Sequence, residues 1–424
     1  MIIGQMICGL AELINETGKK ESGRGVSRQW LCLGVPGNKG TKMRGYKSPW
    51  MNEELEQLRD MARRFFEKEV VAHAAKWRAN KMIDREVWLK AGELGLLCMS
   101  LPEEYGGGGC TFAHEAVVME EQCRAVDTAF GFVPGSLGGP HMLYYAANEA
   151  QRKKWLPKLA TGENVIAFCA TEPGAGSDVK TIRTTAQREG DEYVINGSKT
   201  FVTLGNQADL AVVIARTGGP GAKGLSAFLV ETRTSPGFKV ARNLEKIGQS
   251  SLDNCEVFLE DLRVPAENLL GGEEGRAFGN LMKLFTQERL GIALTSIATA
   301  ERAIELAIDY TKQREMFNQK LFDFQNTRFK LAECATEAHI GRVFVDSLIS
   351  RYVAGEELDP TTSAMAKWWC AEKQGQIIDQ CLQFFGGYGY MLEYPIAQLF
   401  VDARVQRIYG GSTETMKDLI ARTL

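Results

Sequence analysis

Three short segments carry residue types that can bind a ligand. The loop 171–178 (TEPGAGSD) combines a proline and two glycines with hydroxyl side chains, so its backbone N–H groups can approach an anion or a polar ring edge. Glycine clusters follow at 383–390 (QFFGGYGY) and 409–414 (YGGSTE), where glycines beside aromatic residues suit a flat ligand. Taken singly, each segment is also typical of an ordinary turn or helix stop. The first matches neither a dinucleotide GxGxxG motif nor a Walker loop.

Composition excludes several classes of protein. The chain has 424 residues, enough for roughly three domains of ~150 residues. Its net charge of −3 argues against a dedicated nucleic-acid binder, and no apolar run reaches the ~18–20 residues of a membrane-spanning helix. The 10 cysteines form no CxxC pair and do not fall at zinc-finger spacing with the 4 histidines. We therefore expect no metal site and mostly buried, reduced thiols.

The first 50 residues differ from the rest of the chain. Between 22 and 50 there are basic residues and many glycines but no acidic residue, and apolar periodicity is weak. This composition predicts a flexible extension over 1–50. A transit peptide and an overlong start, with Met51 as the natural beginning, both stay open, although acidic residues at 12, 16 and 21 are unusual in a transit peptide.

The periodicity of apolar residues changes twice along the remaining chain. Helical periodicity begins at Asn52 and continues around 86–97, 114–125 and 150–159. Short β-favouring runs between glycine and proline segments then indicate strands, and Asn196 with Gly197 predicts a hairpin turn. Long amphipathic stretches from 265 to 360, with no internal proline, and from 361 to 385 indicate packed helices.

This order predicts a mainly α member of the α+β class. We expect a helical domain at 51–167, a β-sandwich or barrel-like domain at 168–279 and a four-helix bundle at 280–424. Strands and helices do not alternate, which disfavours a doubly wound sheet.

Several motifs together resemble those of acyl-CoA dehydrogenases, most of all the long-chain members. The resemblance covers about 52–424 and rests on TEPGAGSD at 171–178, FVTLGN at 201–206, REMF at 314–317, QFFGG at 383–387, EYP at 393–395 and VDARVQRIYGGSTE at 401–414. It implies FAD as cofactor and α,β-dehydrogenation of an acyl-CoA thioester, as in fatty acid β-oxidation. Electrons would pass to an electron-transferring flavoprotein.

The resemblance also identifies the catalytic base. Most members carry a glutamate directly after the IY of the late turn, where this chain has Gly410. Long-chain and isovaleryl members carry it instead on an earlier helix in a segment ending Glu-Arg, which here is Glu288. The helix face around Glu288 consists of Leu284, Phe285, Gly291 and Ile292, which would desolvate the carboxyl group and raise its pKa. Gly291 is expected to leave room for an acyl chain.

Other site residues follow from the resemblance alone. Gly410 would donate its backbone N–H to the thioester carbonyl, and Ser177, Arg289 and Gly411 would adjoin the substrate. The expected FAD contacts are Phe168, Ala170, Thr171, Gly176, Ser177, Phe201, Val202, Thr203, Arg314, Phe317, Gln325, Gln383, Phe384, Gly386, Gly387, Ser412 and Glu414. The position of Phe201 is often tryptophan in the family. Glu393 and Glu414 are fallback bases.

A shared FAD site implies a homotetramer built as a dimer of dimers. The expected location is the cytoplasm of a bacterium or the mitochondrial matrix of a eukaryote. Two alternatives stay open: an acyl-CoA oxidase, and a non-catalytic flavoprotein or assembly protein on the same fold.

Overall fold

The computed structural model describes residues 46–424, so most of the predicted extension lies outside the described residues. Six α-helices form the first part of the fold. They are α1 (Glu53–Phe65), α2 (Ala74–Asn80), α3 (Glu86–Glu93), α4 (Phe112–Arg124), α5 (Gly139–Ala146) and α6 (Glu149–Ala160). A π-helical segment, Val133–Gly138, leads into α5. Asn52 caps α1 by accepting a hydrogen bond from the Leu55 amide, as expected for an Asn before an apolar periodic run.

The end of the predicted extension is anchored to the C-terminal part of the chain. The Tyr46 hydroxyl and the Trp50 indole N–H each donate to the Asp346 carboxylate at 2.9 Å. Asp346 is fully buried and also lies 3.6 Å from Arg342. The fold described here therefore includes residues that precede Met51.

The middle of the chain forms one seven-stranded, curled sheet. Its strands are β1 (Ile166–Cys169), β2 (Thr185–Glu189), β3 (Glu192–Thr203), β4 (Leu210–Arg216), β5 (Leu225–Glu231), β6 (Phe238–Asn243) and β7 (Asn254–Pro265). The order is β1-β4-β2-β3-β7-β6, with β5 paired to the other side of β4. Val212 and Ile214 of β4 face the helical core, while Ala211 and Val213 face a second core on the other side of the sheet. Burial on both faces explains the continuous apolar run of β4.

The hairpin predicted at Asn196 and Gly197 is wrong. Both residues lie inside β3, and the turn between β2 and β3 contains Gly190, with φ +62°. The Asn196 side chain instead exchanges hydrogen bonds with Asp261, at a bulge in the facing strand β7. A Cβ at Gly197 would lie 2.3 Å from the Thr184 hydroxyl oxygen, so the glycine allows close packing here rather than chain reversal.

The C-terminal part consists of three long helices and two short ones. They are α7 (Ala277–Gln313), α8 (Gln325–Val353), α9 (Pro360–Gln383), α10 (Pro395–Ala403) and α11 (Thr413–Ala421). The strands β8 (Glu315–Met316) and β9 (Gln319–Lys320) form a small hairpin between α7 and α8. The long helices pack together, and α10 and α11 pack along α9. Within residues 46–424, none of the helices combines the length and apolar character needed to cross a membrane.

Candidate active site

Glu288 lies in the first half of α7, where the helix is packed on several sides. Its neighbours Gln287, Arg289 and Leu290 are buried, and Glu288 itself is half-buried. Burial raises the pKa of Glu288 above its ordinary value, and the positive charges of Arg289 and Lys367 oppose that rise. The desolvation expected from the helix face is therefore present.

The glycine turn 410–411 lies directly beside this part of α7. Gly410 and Gly411 have φ of +63° and +97°, a region that favours glycine. The Arg289 Nε donates to the Gly410 carbonyl at 3.4 Å, and the Lys367 ammonium donates to the Gly411 carbonyl. Two cations thus bind the two carbonyl groups of the turn.

The turn also keeps a free hydrogen-bond donor. Within the described part of the chain, the Gly410 amide N–H has no acceptor. An unpaired backbone donor of this kind can stabilise an oxyanion, and the partly buried carboxyl group of Glu288 beside it can act as a general base. A side chain at Gly410 would be strained, because its Cβ would lie 2.3 Å from the Cδ1 atom of Ile292.

Lys367 is the residue of this site that sequence reasoning missed. It is fully buried on α9, and burial together with the charge of Arg289 lowers its pKa to about 8, against the opposing effect of Glu288. The signal was a single lysine among buried Ala364, Ala366 and Cys370. Without the fold, that pattern does not reveal which backbone group the ammonium binds.

The structure also brings the loop 171–178 against β3. The Thr200 amide donates to the Thr171 carbonyl at 2.9 Å, and Thr203 accepts a hydrogen bond from Asn254 at 3.0 Å. Open space surrounds Gly174 and Gly176, and Ser177 is exposed, as expected for a loop that meets a ligand with its backbone. Phe168, Ala170 and Thr171 are partly buried, whereas Val202 is fully buried behind the surface.

Phe201 has an unusual backbone for an aromatic residue. Its φ is +58°, and it sits where β3 carries one extra residue relative to β7. Such a conformation costs of order 1–3 kcal/mol and persists only where surrounding contacts enforce it. The bulge turns the ring outward, so that 65% of Phe201 is exposed.

A third group of predicted residues lies far from Glu288 in the same chain. Arg314 follows the end of α7, and the 25 residues from Glu288 to Gln313 span about 37 Å of helix. Phe317 is 82% exposed, and Gln325, Gln383, Gly386 and Gly387 are exposed near the same end of the helix. Phe384 is partly buried there, and Phe385 stacks on Tyr310 with ring centroids 4.2 Å apart.

The last predicted residues adjoin the glycine turn. Ser412 caps α11 by accepting from the Thr415 amide at 3.2 Å, and Glu414 is exposed in the first turn of that helix. Glu393 is also exposed. Neither fallback base is therefore buried as Glu288 is.

A cavity of about 270 Å³ lies along the same stretch of α7. Its lining includes Gln287, His141, Tyr145 and Ser100. The His141 Nδ1 atom accepts a hydrogen bond from the Gln287 amide at 3.2 Å, and its Nε2 atom lies 3.1 Å from the Ser100 hydroxyl oxygen. Burial lowers the pKa of His141 to about 4, so the ring is neutral near pH 7. One turn further on, Gly291 packs against Met119 and Leu137, and a Cβ there would lie 3.6 Å from each.

Both the sequence and the fold of the chain match those of known proteins. The acyl-CoA dehydrogenase N-terminal, middle and C-terminal domain families match residues 52–163, 167–262 and 275–424. The mouse mitochondrial long-chain specific acyl-CoA dehydrogenase is 41% identical over 88% of this chain and 87% of its own length.

Solved structures agree with this assignment. An acyl-CoA dehydrogenase from Geobacillus kaustophilus has a TM-score of 0.86 and 42% identity, covering 89% of this chain and 99% of its own. A glutaryl-CoA dehydrogenase from Mycobacterium smegmatis, in complex with FADH2, has a TM-score of 0.82 and 26% identity, covering 88% and 95% of the two chains. The chain belongs to the acyl-CoA dehydrogenase family, whose members are FAD-dependent oxidoreductases.

Proposed function

We propose that this chain dehydrogenates medium-to-long-chain or branched acyl-CoA thioesters, with Glu288 as the catalytic base. The observation that carries the proposal is the position of Glu288, a partly buried carboxyl group beside a glycine turn with a free N–H. Two other carboxylates lie near this turn. Glu414 is exposed, and Glu372, which is half-buried like Glu288, is already bound by Arg407 and Thr413.

The chemical difficulty is the weak acidity of the proton on the carbon next to the thioester carbonyl. Burial brings the pKa of Glu288 closer to that of the substrate proton, and proton transfer to a general base benefits from this match. The Gly410 N–H would donate to the thioester oxygen as negative charge develops there. Arg289 and Lys367 fix the turn through its carbonyl groups, so this donor is oriented before the substrate arrives.

The residues present fit FAD. Open backbone at Gly174 and Gly176 and the outward ring of Phe201 offer a surface for a flat, polar-edged ring system. Thr171, Ser177 and Thr203 supply hydroxyl groups, with Phe168, Ala170 and Val202 behind them. When bound, FAD supplies the acceptor for the hydrogen that leaves the β-carbon with its electron pair.

The far end of the cofactor would be held by a second subunit. Several predicted FAD contacts lie beyond the far end of α7, too far from the Glu288 region of the same chain to share one dinucleotide with it. They are Arg314, Phe317, Gln325, Gln383, Phe384, Gly386 and Gly387. Exposed Phe329, Ile340 and Val343 on α8 offer further apolar surface for assembly. These features support a homotetramer, with Ser412 and Glu414 as additional FAD contacts near the turn.

The resemblance to acyl-CoA dehydrogenases implies that an electron-transferring flavoprotein would accept the electrons from the reduced FAD. The cytoplasm or the mitochondrial matrix would be the site of action. An acyl-CoA oxidase differs in using oxygen directly, and a non-catalytic flavoprotein would bind FAD without reacting with acyl-CoA.

The test is an anaerobic titration of the yellow protein with acyl-CoAs of graded length and branching. We expect loss of the flavin absorbance near 450 nm, with a 2,3-enoyl-CoA as product, followed by reoxidation with an electron-transferring flavoprotein or a dye. Peroxide formation at full turnover in air would identify an oxidase instead. No bleaching with any acyl-CoA would refute the proposed reaction.

A further inference from the structure

Lys199 is a fully buried cation in the middle sheet, and nothing in the reaction requires it directly. Its side chain has no exposed surface. The ammonium donates to the Glu172 carboxylate at 2.8 Å and to the Ala170 carbonyl at 3.1 Å. An isolated buried ammonium is costly, so both contacts must offset its desolvation.

Glu172 connects Lys199 to further segments of the chain. Its carboxylate accepts from the backbone amides of Arg183 at 2.7 Å and Thr184 at 2.9 Å, as well as from Lys199. Burial alone would raise the pKa of Glu172, but Lys199 and these hydrogen bonds hold it below its ordinary value. Burial lowers the pKa of Lys199, and the charge of Glu172 opposes that change. The contacts of the pair tie β1, the loop 171–178 and the start of β2 to β3.

The network ends at the residues that face the expected flavin position. Lys199 lies two residues before the strained, outward-facing Phe201, and the Thr200 amide binds the Thr171 carbonyl. Glu172 directly follows Thr171 in the loop. The two residues before Phe201 are thus both held, Lys199 by the buried ion pair and Thr200 by the hydrogen bond to the loop. These contacts can maintain the strained left-handed backbone of Phe201.

We propose that Lys199, through its contacts with Glu172 and Ala170, is a positioning residue for FAD that fixes Phe201 and the loop 171–178 in one rigid surface. The inference rests on the proposed placement of FAD. It makes the buried pair a determinant of cofactor affinity, separate from the residues that contact the cofactor.

The experiment measures FAD binding to the full-length apoprotein by flavin fluorescence, in the absence of acyl-CoA. Lys199→Met removes the cation, Lys199→Arg keeps it, and Lys199→Met with Glu172→Gln removes both charges. Lys239→Met is the matched control, because Lys239 forms an exposed ion pair with Glu260 in the same sheet. Thermal unfolding of each apoprotein and the visible circular dichroism of bound flavin are recorded alongside.

We expect Lys199→Met to weaken FAD binding by about tenfold or more, equivalent to 1.4 kcal/mol. Its flavin circular dichroism should also change. Lys199→Arg should recover most of the affinity. The double variant should regain thermal stability, because no unpaired charge remains buried, without regaining affinity, because the Ala170 contact is still absent. Lys239→Met should match the wild type in affinity.

Affinity within twofold of the wild type for Lys199→Met, measured on folded protein, would overturn the inference. So would a double variant in which stability and affinity recover together, since that result describes a purely structural pair. Both outcomes leave the proposed reaction intact if the wild type is bleached by acyl-CoA. A wild type that does not bind FAD would instead remove the proposed function, and this inference with it.

Discussion

Replacing Glu288 by glutamine tests the central chemical argument. Glutamine keeps the shape of the side chain but cannot accept a proton. Loss of a general base costs about 10²–10⁴ in rate. We expect the upper end, ~10⁴, because in the described chain the other carboxylates considered are exposed or occupied by Arg407 and Thr413. The assay is the rate of anaerobic flavin bleaching by a saturating acyl-CoA.

The pH dependence of the same variant gives an independent check. In the wild type, kcat/KM should rise with pH through the raised pKa of Glu288, and this rise should be absent in Glu288→Gln. The pKa of Glu288 is higher in the folded protein than in the unfolded chain. The free energy of unfolding of the wild type therefore falls as pH rises between these two pKa values. The glutamine variant should therefore gain unfolding free energy over the wild type at pH 8 but not near pH 4, about the ordinary glutamate pKa.

A matched variant separates the role of the base from general damage to the helix. Glu305→Gln changes the same residue type on α7, about 25 Å further along the helix, where Glu305 pairs with Arg124 and Arg302. It should retain bleaching within a few-fold of the wild type. A missing base should lower the rate by at least about a hundredfold. If Glu288→Gln keeps more than about a tenth of the wild-type bleaching rate, the assignment of Glu288 is refuted.

Three further predictions concern the glycine turn, the buried Asp346 anchor and Lys367. In the Glu288→Gln background, Gly410→Glu alone should restore bleaching poorly. Adding Ile292→Ala should make bleaching at least about fivefold faster, since relief of overpacking is worth about 1–3 kcal/mol. Equal rates would contradict the clash expected between a side chain at 410 and Ile292. Asp346→Ala should lower the free energy of unfolding, measured in urea, by about 2–3 kcal/mol, because Tyr46 and Trp50 lose their acceptor. A loss below about 0.5 kcal/mol, the size expected for an ordinary surface substitution, would show that the anchor is unimportant. Lys367 has a folded pKa of about 8, below its ordinary value of 10.5, so the unfolded chain holds the extra proton between these values. The free energy of unfolding of the wild type should therefore rise relative to that of Lys367→Met by about 2 kcal/mol from pH 8 to pH 10. A difference that does not change with pH would exclude the shifted lysine.

Much of the architecture is determined locally and can be predicted from the sequence. The helices near Glu86, His114 and Ala150 and the short strands that follow them in the chain are predicted by apolar periodicity and turn residues, and the structure confirms them. The helix face around Glu288 is equally local, because residues three and four apart share one side of a helix. Its desolvation was therefore predictable, whereas the assignment of Glu288 as base depended on the family resemblance.

Tertiary packing decided the features that local patterns describe wrongly or not at all. Asn196 and Gly197 have the composition of a hairpin turn, but the close approach of Thr184 and the side chain of Asp261 place them within a strand. Lys367 meets the glycine turn from 44 residues away, and Lys199 meets Glu172 from 27. A buried charge is stable only where the fold brings a partner to it, and the identity of that partner depends on long-range packing that periodicity does not encode.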